Sequence, residues 1–115
     1  MIIRNLDHSE VKMTRYRAHA GGIAHMILDT RHLNTLMFLA HASVPPGETL
    51  LGHVDPMEEI YIIQKGQGRM QVEDDLSDVG PGDAVHIPIG HYHELTNTGD
   101  VEMTLLVVAG LIPGP

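Results

Sequence analysis

An antiparallel β-sandwich or barrel is the fold class this sequence predicts, on three observations. Turn residues recur at about eight- to twelve-residue intervals from Pro45 onward, at Asp55-Pro56, Gly66-Gln67-Gly68, Asp74-Asp75, Gly80-Pro81-Gly82, Pro88 to Gly90 and Asn97 to Asp100. The runs between them are short and rich in β-branched residues. No stretch carries a convincing amphipathic helical period.

Taken in order, Ile2-Ile3 reads as a short strand, and Asn5 to Arg17 has only a weak period of either kind. After the break at Ala20-Gly21-Gly22, Ile23 to Leu28 is an apolar run of strand length. Leu36 to Val44 is the next, closed by Pro45-Pro46-Gly47, which neither a helix nor a central strand tolerates. Further strands follow at Ile60 to Ile63, Met70 to Val72, Ala84 to Ile87 and Val101 to Val108. The segment Arg69 to Glu73 alternates polar and apolar, as a half-buried strand does.

At 115 residues the chain is read as one domain, 1–115, able to bury its own core. Phe38 and three Tyr are the only aromatics, so that core is aliphatic. The absence of Cys removes disulfides and thiolate metal sites, leaving His and carboxylates as the strong ligands. Seven basic against fifteen acidic residues give a net charge of −8, which argues against non-specific nucleic-acid binding. No apolar stretch suits a signal peptide or a membrane span, so a cytoplasmic protein is expected.

Four residues are candidate ligands for one metal ion: His53, Asp55, Glu59 and His93. His53 and Asp55 are two apart, so on a strand they would share a face, and a hairpin turning at Pro56 would bring Glu59 back toward them. One of the adjacent pair Glu58 and Glu59 must face outward. Among the other polar residues, His41 sits mid-strand with the outward face favoured over the interior. His86 is placed on the face opposite Val85 and Ile87, and His91 at a pocket rim. Tyr61 shares the face of Glu59 and reads as core filler ahead of a ligand contact.

The spacing resembles the cupins, specifically the small single-domain type called mannose-6-phosphate isomerase-like. Gly47, His53, Glu59 and Gly66 hold the places of the first cupin motif over 47–66, with Asp55 where the family has a second His. Gly82, Pro88, Gly90, His93 and Asn97 fill every fixed place of the second motif over 82–97. The resemblance implies a jelly-roll β-barrel with one divalent metal ion in its mouth, often paired as a homodimer. By position His53, Glu59 and His93 carry over as ligands. If Asp55 also ligates, the site is formally neutral around a divalent ion and favours a hard one. If it does not, two His and one carboxylate leave open positions, and Asp55 becomes a nearby acceptor or general base. Mn, Fe, Zn and Ni all remain open.

The resemblance implies a metal-dependent enzyme acting on a small polar organic molecule, as a dioxygenase or as an isomerase or lyase. The ion would act as a Lewis acid, with Asp55, His41 or Tyr61 as candidate bases. The alternative is a non-catalytic small-ligand-binding or sensing domain. No helix-turn-helix pattern precedes the barrel, so a transcription factor on the same chain is not expected.

Overall fold

The computed structural model describes residues 1–14 and 21–110, with the backbone alone at 16–18 and at His53. Among the described residues a short helix, α1 (Ser9–Lys12), is followed by ten strands: β1 (Tyr16–Ala18), β2 (Gly22–Leu28), β3 (Leu36–Val44), β4 (Thr49–Val54), β5 (Glu58–Lys65), β6 (Gly68–Val72), β7 (Asp75–Val79), β8 (Ala84–Ile87), β9 (Tyr92–Asn97) and β10 (Met103–Gly110). They form two antiparallel sheets, one ordered β1-β2-β3-β10-β5-β8 and the other β4-β9-β6-β7. This is a jelly-roll arrangement.

Period-two burial fixes the layers. Along β10, Met103, Leu105, Val107 and Ala109 are buried while the residues between them are half-buried. On β3 the inward set is Ala40, Ala42 and Val44. From the facing sheet come Met70 and Leu95, so the core is aliphatic as composition requires. Small alanines on β3 beside larger side chains on β10 let the layers interdigitate.

Several expectations change. Residues 1–3 form no strand, and the polar stretch after them supplies α1, whose Val11 is buried. Thr14 helps fasten this helix to β2: its Oγ1 accepts from Met26 N at 2.8 Å and donates to Val11 O at 2.6 Å. The last strand begins at Met103, because Gly99 to Val101 bend away from the ladder. A strand not foreseen, β7, pairs with β6 along the edge of the smaller sheet.

The larger change concerns the turn at Pro56. β4 pairs with β9 and β5 pairs with β10 and β8, so the two are not a hairpin. The chain instead crosses from one sheet to the other at Asp55. A second crossing, from β8 to β9, lies beside it, and the Gly90 N–H donates to the Asp55 carbonyl at 3.0 Å. Gly90 has φ +76°, a conformation open to glycine at little cost. Two corners joined in this way bring the first and second motif together.

His41 faces outward, opposite to Ala40 and Ala42, and stands directly across from His25 on β2 and Leu106 on β10. It is therefore not a base for the barrel interior. Burial lowers its pKa, as does His25, and Glu102 opposes them. The unfolded chain then takes up a proton near pH 6.5 while the folded one resists it. Stability contributed by neutral His41 is present above that pH and falls as the pH drops toward the lowered folded value. His41→Gln should flatten the acid side of a melting-temperature profile between about pH 7.5 and 5.5. An unchanged profile would show that His41 does not carry this dependence.

Candidate metal centre

Three of the four sequence candidates come together. The ligating atoms of Asp55, Glu59 and His93 all lie within 4.8 Å of one another. His93 Nε2 is 3.4 Å from Glu59 Oε1 and 3.8 Å from Asp55 Oδ2. Glu59 enters on β5, where alternation turns Glu59, Tyr61 and Ile63 inward and leaves Glu58 outside. His93 enters on β9, and Asp55 from the corner beyond the end of β4, so strand alternation does not place it.

His53 is on β4, and its side chain lies outside the described residues. The backbone places it informatively nonetheless. Leu50 pairs with Leu95, but the next pairing is His53 with His93, so β4 spends an extra residue at Leu51-Gly52. Such a bulge shifts the phase of the strand and puts position 53, not 52, opposite His93. Gly52 suits this place, because a Cβ there would fall on the Tyr92 ring.

Burial sharpens the chemistry. Glu59 is 4% exposed and His93 1% exposed. The imidazole is oriented by its Nδ1–H, which donates to the His91 carbonyl at 3.1 Å. That leaves Nε2 directed at two carboxylates, and Tyr61 packs edge-on at 5.9 Å between ring centroids. Burial pushes the Glu59 carboxyl above its ordinary value; His93 opposes the rise and Asp55 adds to it. Burial also pushes His93 down, but Glu59, the His91 carbonyl and Asp55 outweigh it, so its pKa is raised.

A buried imidazole nitrogen facing two carboxylates calls for a proton or a cation between them. Glu59 Oε1 is buried and makes no hydrogen bond among the described residues. Ligands about 2.0 to 2.2 Å from a tetrahedral ion sit about 3.4 Å apart, which the 3.4 and 3.8 Å separations approach. The donor set therefore fits a divalent ion.

The remaining candidates separate. Tyr61 is buried beside the site as core. His86 is exposed and meets Glu58 on the outer face, with Nε2 to Oε2 at 2.6 Å. His91 supplies its carbonyl to His93 and lines a cavity between β7 and β8 that the sequence did not reveal. No periodic apolar signal marks that region, since β7 is exposed at every position but Val79.

Comparison with known proteins agrees with this architecture. The family model described as Cupin domain matches residues 40–109. A Methanocaldococcus jannaschii protein, MJ1618, is 39% identical over 59% of this chain, which spans 55% of that relative's length. Protein SchB of Streptomyces halstedii is 30% identical over 86% of this chain and 73% of its own. The Oxalate-binding protein of Thermotoga maritima is 25% identical, covering 97% of this chain and 95% of that one. Among solved structures, a predicted oxalate decarboxylase from Thermotoga maritima superposes with a TM-score of 0.81 at 24% identity, covering 97% of this chain and 100% of that one. Oxalate decarboxylase from Bacillus subtilis gives 0.75 at 21% identity, covering 88% of this chain but 28% of that one. At these identities the solved structures speak for the fold. Among the described residues no helix is long and apolar enough to cross a membrane. With the family model spanning more than half of the sequence, and the two sheets and the inward-facing motif residues agreeing with it, the chain belongs to the cupin superfamily.

Proposed function

We propose that this cupin binds one divalent metal ion through His53, Asp55, Glu59 and His93, and acts there on a small polar organic molecule. The observation that carries the reading is the buried Glu59 carboxylate 3.4 Å from Nε2 of the His93 imidazole, with Asp55 beside both. A bound ion would supply Lewis-acid chemistry, polarising oxygen atoms of the ligand. The chain's own residues hold the pieces in place. The His91 carbonyl fixes the imidazole, Tyr61 packs its ring, and the Asp55–Gly90 backbone bond locks the two corners. Asp55, 22% exposed, is the carboxylate nearer to solvent and the candidate proton acceptor if it does not ligate. Dioxygenase and isomerase or lyase chemistry both fit such a site. Protein reconstituted with Mn, Fe, Zn or Ni in turn should melt at a higher temperature with the matching ion. Oxygen uptake or substrate turnover then separates the two chemistries, and no response to any ion would contradict the reading.

The non-catalytic alternative is favoured by one comparison, the relative named an oxalate-binding protein. A domain of that kind would gain thermal stability from its ligand without consuming it. A cytoplasmic homodimer belongs to the same proposal. Its support is exposed apolar surface: Ile60 on the outer face of the larger sheet is 39% exposed, and Met1 and Ile3 are 111% and 75% exposed. Light scattering should give about twice 12.6 kDa, and a mass near 12.6 kDa would remove the dimer.

A further inference from the structure

Between the β7 edge of the smaller sheet and β8 of the larger one lies a cavity of about 630 Å³, within the usual range for small organic ligands. Its floor is apolar, formed by Met70, Val72, Val79 and Val85. Val72 is the cross-strand partner of His93, and Val85 that of Tyr61. The floor therefore lies one strand, about 5 Å, from the metal-centre residues, although Asp55, Glu59 and His93 do not line it themselves.

Among the described residues the carboxylates Glu73, Asp75, Asp78 and Asp83 line this cavity, with His86 and His91, and neither Lys nor Arg does. Two of the acids have other tasks. Asp83 Oδ2 accepts from Gly80 N at 2.8 Å and Glu73 Oε1 accepts from Tyr92 N at 3.2 Å, each shaping a turn. Asp78 stands across from Arg69 in register, on the face of the sheet opposite to the Val72 and Asp75 pair. Asp75 has no such task among the described residues. It stands opposite Val72, and directly opposed residues project to the same face of a sheet, so Asp75 belongs on the cavity side.

We propose that this cavity takes a small primary ammonium compound with an apolar body, and disfavours dicarboxylates such as oxalate. The apolar part would cover Met70 and Val79, and the cationic head would meet Asp75. An approaching dianion would face a rim of fixed negative charge with no cation to receive it. This assignment rests on the reading of the barrel as a small-molecule site, but not on the metal.

The test is titration of ¹⁵N-labelled protein, metal-free and metal-loaded, with hexylammonium, hexanoate and oxalate, followed by amide shifts. Hexylammonium should move the Val72, Val79 and Val85 amides saturably and bind about tenfold tighter than hexanoate at low ionic strength. Asp75→Lys should remove that preference, and Asp75→Asn should weaken it if the lysine variant loses its native spectrum. Hexanoate or oxalate moving the same amides as strongly, or hexylammonium binding unchanged in the Asp75 variant, would overturn the proposal. Ammonium binding in a protein that takes up no metal would leave the cavity assignment standing and remove the metal-centre reading. Metal uptake without ammonium binding would do the reverse.

Discussion

Truncating His93 to alanine should lower the affinity for a divalent ion at least about a hundredfold while leaving the β-sheet signal in place. The residue supplies the one nitrogen donor whose geometry is fixed in the described structure, through its Nδ1 bond to His91. Without it the proposed set keeps His53 and the two carboxylates of Glu59 and Asp55 but loses the imidazole whose Nε2 lies 3.4 and 3.8 Å from those acids. The barrel should survive because Leu95, Leu105, Met103 and Ile63 form its buried core independently of the imidazole. Calorimetric titration with each ion reads the first effect and circular dichroism the second. Retained affinity would take His93 out of the ligand set; a lost β-sheet signal would make it a folding residue.

The second large effect is on stability. Asn97 is 1% exposed and its side chain joins three segments. Its Nδ2 donates to the Val44 and Val101 carbonyls, each at 2.8 Å, and its Oδ1 accepts from Gly99 N at 2.9 Å. Asn97→Ala removes all three bonds and leaves the Val44 carbonyl buried without that partner. The expected loss is about 3 kcal/mol, seen as a fall in melting temperature of roughly 10 °C. Asp100→Ala, an exposed change in the same turn, should alter stability by less than about 0.5 kcal/mol. Equal effects from the two would contradict the clamp.

Asn97 also shows what could be read before the fold was known. Its place in the second motif was legible from spacing, but not its task, which depends on β3 and the β9–β10 turn meeting it in space. Where local chemistry decides, the sequence reading agrees with the structure: Pro45-Pro46-Gly47 follow the end of β3, and Glu59 turns inward while Glu58 does not. Where long-range pairing decides, it could not be read. The Asp55 corner looks locally like a hairpin turn, yet the strands on either side join different sheets. The bulge at Leu51-Gly52 has no one-residue signature, since only pairing with β9 shows that a residue is spent. β7 lacks alternation because it is an exposed edge, and so the cavity beside it was not visible either.

The measurement that tests the metal centre most directly is the metal content of protein purified without a His tag, by elemental mass spectrometry, for wild type and Asp55→Ala in parallel. Close to one equivalent of a single divalent ion is expected in the wild type, falling sharply when Asp55 is removed. Metal retained in the variant would contradict ligation by Asp55 and leave it as a neighbouring acceptor. No metal in either protein, even after reconstitution, would contradict the metal centre itself.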